Sequence, residues 1–286
     1  MKVSHGAYYN FAKGQTYQIS LNRQLLLKEV KAIFDFHKRR YGSLRIWDTM
    51  KDKGYKIGLY KVKSLMKEQN LIAIQPKRFV PRTTQSNPNL RRSPNLLLDL
   101  PFPTAPNQVI VGDITYLPTP DHSEDGWLYL AVWMDLFSRK IVGWKVDDNM
   151  EEDLVIDAFK QVIKNRQPPE GIIVHSDGGG QYGSINFRAL LKHHKIRQSM
   201  TRKNDHYDNA FAESLFSRFK AEVLDEGIFK DLYDAKIRVF EFIEGYYNTI
   251  RKHSSIGNLS PIQYEDKYWI ESVSYTHLTL PTICSV

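Results

Sequence analysis

Val109-Ile110-Val111-Gly112-Asp113-Ile114-Thr115-Tyr116 is a run of β-branched and aromatic residues interrupted only by Gly112 and Asp113, and it ends against Pro118. Its composition predicts a strand. Trp127 to Asp135 and Lys140 to Val146 have the same character with turn residues between them, so the three together predict a meander. Leu154, Val155, Ala158, Phe159 and Val162 then fall at helical spacing within 151–164, and Ile172-Ile173-Val174-His175 is a short apolar strand. Helices over 184–195 and 207–224, with a further strand between them, complete the pattern. Three strands followed by alternating helix and strand make an α/β arrangement, and the pattern alone leaves several α/β folds open.

Upstream the character changes. Leu21, Leu25, Leu26, Val30, Ile33 and Phe34 lie at spacings of three, four and one among charged residues, which predicts an amphipathic helix within 21–40. A second helix is expected over 43–53, a turn at Gly54, and a third helix over 57–68 carrying Ile57, Tyr60, Val62, Leu65 and Met66 among Lys61, Lys63 and Lys67. Two short helices across a glycine turn fit a helix-turn-helix with a lysine-rich second helix; a small helical bundle with a basic face fits the same pattern. Residues 76–106 hold Pro81, Pro88, Pro94, Pro101, Pro103 and Pro106, four arginines and little periodicity, and read as a basic linker that either tracks DNA or only tethers.

Charge sorts along the chain in the same way. Of the 286 residues, the first 97 hold 20 Lys and Arg against five Asp and Glu, and the remainder hold 20 against 27. A basic N-terminal third attracts polyanions such as nucleic acid, although a solvated basic surface has the same composition. No apolar run approaches a membrane span and no secretory signal opens the chain, so a soluble, cytoplasmic protein is expected. The single cysteine, Cys284, forms no internal disulfide, and no Cys/His cluster has zinc spacing, so any metal must sit on carboxylates.

Three carboxylates stand out. Asp113 interrupts an apolar strand on the side of the pleat that carries Val109, Val111 and Thr115, where an unpaired charge is costly and calls for an Arg, a Lys or a metal. Asp177 follows a strand and opens Gly178-Gly179-Gly180, a run suited either to a tight turn or to close approach of a ligand. Glu213 lies on a predicted helix beside Phe211, Leu215 and Phe219, and Asp205 and Asp208 compete with it for the third position. If the three converge at one strand end, they supply the oxygen ligands that Mg2+ prefers, and two such ions can serve an in-line displacement at phosphorus with no side-chain nucleophile. Neither a Gly-x-Ser-x-Gly elbow nor a Walker loop is present to suggest other chemistry.

These residues also carry a resemblance. Tyr41-Gly42-Ser43-Leu44-Arg45-Ile46 through Lys61-Val62-Lys63-Ser64-Leu65-Met66 resembles the helix-turn-helix segment of the integrase-core transposases of bacterial insertion sequences, specifically the second-reading-frame product. Gly112-Asp113-Ile114-Thr115-Tyr116-Leu117, His175-Ser176-Asp177-Gly178-Gly179-Gly180-Gln181-Tyr182 and Asp208-Asn209-Ala210-Phe211-Ala212-Glu213-Ser214 are similar to that family's three acidic motifs, in order, with 35 residues between Asp177 and Glu213. Tyr247-Asn248, Arg251, His253-Ser254 and Leu259-Ser260-Pro261 resemble its closing motif. Two positions depart from it: Ile110 stands where an aromatic residue is frequent, and Gly178 where a basic one is.

The resemblance implies a ribonuclease-H-like core, a mixed five-stranded sheet with flanking helices, preceded by a small all-α helix-turn-helix domain. It implies Asp113, Asp177 and Glu213 as catalytic metal ligands for Mg2+ or Mn2+, as two ions, with cleavage at element ends and transfer of a 3'-hydroxyl into DNA. Lys220, seven residues after Glu213, is the candidate contact to terminal DNA, and Arg45, Lys61 and Lys63 are the candidate contacts upstream. The implied partners are DNA, an upstream-frame protein joined to this one by ribosomal frameshifting, and further copies of the chain on DNA. His175 reads as a packed strand-end residue outside the metal set. Arg251 and His253 read equally as structural or DNA-facing.

The expected organisation is a helical DNA-binding region over 1–75, a linker over 76–106, the catalytic core over 107–225 and a helical extension over 226–272. Val273-Ser274-Tyr275-Thr276-His277-Leu278 coincides with one reading frame of a sequencing-library transposon adaptor, so 273–286 are expected to be an assembly scar that replaces the native C-terminus. The competing functional class is a DNA-binding regulator or decayed element product without catalysis, and a hydrolytic nuclease of the same fold is a third.

Overall fold

The computed structural model describes residues 4–13, 21–75, 92–98, 100–120, 126–202 and 210–279, which fall into two compact units, 1–75 and 76–286. The first holds α1 (His5–Ala12), α2 (Leu21–Phe36), α3 (Ser43–Asp52) and α4 (Leu59–Glu68). Val30, Ile33 and Phe34 of α2 are buried together with Tyr41, Ile46 and Met50, and with Val62, Leu65 and Met66 of α4. Gly54 turns the chain between α3 and α4 at φ +82°, a conformation that favours glycine. The amphipathic stripe is shorter than its spacing predicts, because Leu21 and Leu25 at the start of α2 are exposed. Ile57 lies before α4, where its carbonyl accepts the Trp47 indole N–H at 2.8 Å.

The second unit is built on a mixed five-stranded sheet in the order β3-β2-β1-β4-β5. Strands β1 (Val109–Pro118), β2 (Trp127–Asp135) and β3 (Ile141–Asp147) form the antiparallel meander, and β4 (Ile173–Ser176) and β5 (Arg197–Met200) add in parallel on the other side of β1. The connections are α5 (Glu152–Arg166) between β3 and β4 and α6 (Ile185–His193) between β4 and β5. The Ser184 hydroxyl caps α6 by accepting from the Phe187 N–H. After β5 come α7 (Ala210–Val223), α8 (Leu232–Phe240), which runs on as a π-helical turn (Glu241–Tyr247), and α9 (Pro261–Thr279). This is the mixed sheet with flanking helices expected of an integrase core, preceded in the sequence by a helical unit.

Residues of α5 and α6 pack on one sheet face, where Ile110, Ala131, Trp133, Val174, Leu154, Val155, Phe159, Phe187 and Leu191 form one cluster. Trp133 is its centre, edge-on to Phe159 at 4.9 Å and stacked on Phe187 at 5.7 Å. Its indole lies where a side chain at Gly112 would stand, which explains the glycine before Asp113. Across the sheet, Tyr247 reaches Met134 at 3.8 Å, and Phe219 of α7 packs edge-on against Phe242 at 5.2 Å. Among the described residues no helix is long and apolar enough to cross a membrane.

Candidate active site

The parallel register between β1 and β4 pairs Val109 with Ile173 and continues to Gly112 opposite Ser176. Asp177 follows directly after β4 and is near enough to Asp113 for its charge to act on it. Asp113 Oδ1 accepts from its own following N–H, that of Ile114, at 2.8 Å, and Asp177 Oδ1 accepts from the Gly179 N–H at 3.0 Å. Both residues are half-buried. Burial pushes the Asp113 carboxyl well above the usual carboxylate range, and repulsion from Asp177 and Glu213 adds to it, against the Ile114 N–H and the Lys220 charge. Burial likewise raises Asp177, opposed by the Gly179 N–H and by Arg92.

Glu213 and Lys220 are seven residues apart on α7, two turns and therefore on one face, and both act on Asp113. Burial lowers the Lys220 pKa, with Asp113 opposing. Lys220 is thus half-buried and close enough to Asp113 for the two charges to act on each other. Glu213 is exposed in the first turn of the helix. The start of that turn is held by Phe211, whose ring lies 4.2 Å from the Arg139 guanidinium; Phe102 lies on the same guanidinium at 5.2 Å. The structure thus brings Asp113 and Asp177 close together, with Glu213 and Lys220 near enough to be felt. Among the described residues no three acidic, imidazole or thiol groups stand close enough to hold an ion unaided.

Two residues at this place were not singled out from sequence. The Tyr182 hydroxyl is buried, has no hydrogen-bond partner among the described residues, and lies close enough to Asp113 and Asp177 to feel both charges. Its ring belongs to the Trp133 cluster, so a helical or turn pattern records it only as core. Arg92 lies against Gly178, and nothing in a Pro-rich segment 86 residues upstream signals such a contact.

His175 is fully buried, with Nδ1 2.8 Å from the Ser199 hydroxyl. Arg251 is buried too, and its guanidinium holds Glu222 of α7 through Nε at 2.9 and 3.2 Å and through Nη2. His253 meets the same guanidinium at 3.4 Å. In the helical unit Lys61 and Lys63 are exposed on α4, while Arg45 is half-buried over the Tyr41 ring at 5.5 Å. The competing third-ligand candidates Asp205 and Asp208 lie outside the described residues.

Residues 103–206 and 194–261 match models of the integrase core domain, and residues 21–79 match an HTH-like domain. The transposase of insertion sequence element IS904 of Lactococcus lactis is 38% identical over 245 residues, 86% of this chain and 95% of that protein. The chain belongs to the insertion-sequence transposases with an integrase core. Transposase InsF of IS3A from Escherichia coli is 37% identical over 270 residues, 93% of this chain and 92% of the relative. Among solved structures, the catalytic core of HTLV-2 integrase in complex with magnesium aligns over 57% of this chain and 98% of its own, at 17% identity and a TM-score of 0.42.

Proposed function

We propose that this transposase cuts the ends of its element and joins the freed 3'-hydroxyls to target DNA, using Asp113, Asp177 and Glu213 as the ligands of Mg2+ or Mn2+. The observation that carries the reading is the pair of half-buried carboxylates brought close together, Asp113 in the middle of β1 and Asp177 just past the end of β4, near a helix bearing a third carboxylate and a lysine. Such a pair repels itself and is stabilised by added positive charge. Its donors are all hard oxygens, the set that suits Mg2+ or Mn2+, and neither residue is fully buried. When bound, two such ions would neutralise charge at a phosphodiester under in-line attack.

The chain's own residues supply position. The N–H groups of Ile114 and Gly179 each fix one carboxylate oxygen, which orients Asp113 and Asp177 without using their second oxygens in these two bonds. Lys220, half-buried on α7 within reach of the Asp113 charge, is suited to a phosphate of the terminal DNA strand. Phe211 against Arg139 and Glu222 against Arg251 hold that helix near its two ends. No side-chain nucleophile is needed: the 3'-hydroxyl forms the new P–O bond, the target strand's P–O bond breaks, and the proton of the attacking hydroxyl passes to solvent while the departing 3'-oxygen takes one up.

Lys61 and Lys63, exposed on α4, and Arg45 of the preceding helix α3 are proposed as duplex contacts of the helical unit. A frameshift fusion to an upstream-frame protein, assembly of several copies on paired ends and a cytoplasmic place of action complete the reading. The domain limits proposed are those of the sequence: 1–75, 76–106, 107–225 and 226–272.

The test is strand transfer by the purified full-frame fusion on labelled element ends with Mg2+, comparing wild type with Glu213→Gln. Joined product that is lost in the variant, at unchanged thermal stability, is expected. Equal joining by both proteins would remove Glu213 from the ligand set, and binding without joining by the wild type would favour a regulator.

A further inference from the structure

Residues 93–96 lie along β5 as a strap. The Ser93 hydroxyl donates to the Gln198 side chain at 2.9 Å, the Met200 N–H donates to the Pro94 carbonyl at 3.3 Å, and the Leu96 N–H donates to the Ser199 hydroxyl at 2.9 Å. Ser199 in turn lies 2.8 Å from His175 Nδ1 inside the sheet. A hydroxyl that accepts from Leu96 is set to give its own proton to that ring nitrogen, so the buried histidine and serine fasten the strap. The residue just before the strap is Arg92. A Cβ placed on Gly178 would stand 2.5 Å from its Cζ and 2.7 and 2.8 Å from its two Nη atoms. Those near-equal distances set the flat face of the guanidinium over the glycine. Only a residue without a side chain leaves that room.

Among the described residues Arg92 makes no hydrogen bond or salt bridge, although it lies close enough to Asp177 to bear on its charge. With one face covered by Gly178, its N–H edges are the part left to bind something. A half-buried guanidinium held next to a carboxylate, yet not paired with it, is suited to a partner with more negative charge than one carboxylate offers. A phosphate of a DNA strand is that partner in a transposase, and the fork of N–H groups matches two of its oxygens. We propose that Arg92 is a phosphate-binding residue of the catalytic cleft, carried in by the strap and seated on Gly178 beside Asp177, where it fixes the strand next to the reacting phosphodiester. The assignment rests on the strand-transfer reading of the site.

The test is the salt dependence of binding to a labelled duplex of the DNA that flanks this reading frame, measured without divalent metal so that no chemistry enters. Loss of one phosphate contact lowers the magnitude of the slope of log affinity against log salt by about 0.9. Arg92→Gln is expected to show that drop and Arg92→Lys to keep the wild-type slope. Gly178→Ala leaves every charge in place but takes the space of the guanidinium, and it is expected to lower the slope as Arg92→Gln does. Equal slopes for wild type, Arg92→Gln and Gly178→Ala, with all three proteins folded by thermal melting, would overturn the proposal and leave Arg92 as a counter-charge to Asp177 alone. A wild type that joins no ends, with the slope differences intact, would sink the strand-transfer reading separately.

Discussion

At the residue scale the decisive feature is a carboxylate kept where its charge is unwelcome. Asp113 stands on a strand beside Asp177, and burial is the largest influence on it. A carboxyl whose folded pKa is raised binds its proton more readily folded than unfolded. Its contribution to stability is therefore fully present below the unfolded value and is lost as pH rises through the folded one. Asp113→Asn removes that loss. It is expected to raise the unfolding free energy of the metal-free protein at pH 8 by about 1 kcal/mol, with the gain shrinking at acidic pH, as read by urea titration; function kept at the expense of stability is a common bargain in catalytic sites. A variant less stable than wild type at pH 8 would mean that Asp113 serves the fold. The same strand shows what sequence conveys and what it withholds. Asp113 is conspicuous in an apolar run, but its neighbour is set by the register of β1 on β4, a contact across 64 positions that no local pattern encodes. Tyr182 and Arg92 escaped notice for the same reason, since one reads as core and the other as linker.

At the element scale the question is how α7 is held, because it carries Glu213 and Lys220 to the acidic pair. The nearly fully buried pair between Glu222 and Arg251 joins it to the segment after the π-helical turn. Burial alone would lower the Arg251 pKa, but the hydrogen bonds and charge of Glu222 raise it above the ordinary arginine value, so the pair stays ionised. Removing one partner strands the other charge in the interior, which costs far more than the pair itself contributes. Arg251→Met is expected to destabilise the protein by about 3 kcal/mol, and adding Glu222→Gln to recover part of that loss, so that the double variant is less damaged than the sum of the two single ones. Strict additivity in denaturant unfolding would deny the coupling. Sequence left Arg251 open between structure and DNA. With only 3% of its surface exposed, against a carboxylate 29 positions away, it is placed within the fold.

At the scale of the whole molecule the elements themselves were readable, because strand alternation and helical spacing are local. The meander, α5 and α6 stand where their apolar periods put them, and shifts of a residue or two occur at ends where caps and turns decide. The strand order, the strap on β5 and the closure of the C-terminal segment were not readable, since each depends on pairs far apart in the chain. That closure has a testable charge. Glu265 of α9 accepts from the Ser138 hydroxyl at 2.7 Å, Lys140 at 3.2 Å and both ends of the Arg166 guanidinium, which ties the last helix to the β2–β3 turn and to the end of α5. Burial pushes its carboxyl up, but the Arg166 bonds, Lys140 and Ser138 more than offset this and leave it below its ordinary value of 4.5. Asp135, also facing this cluster, is raised by burial and runs in the opposite sense. A lowered folded pKa gives stability that is present above the unfolded value and lost as pH falls through the folded one. Urea unfolding at pH 5.5 and at pH 3.5 is therefore expected to show a larger acid loss in wild type than in Glu265→Gln, which has no charge there to lose. If the two proteins lose stability equally on acidification, the cluster does not hold the C-terminal helix by charge, and its hydrogen bonds and packing must do so alone.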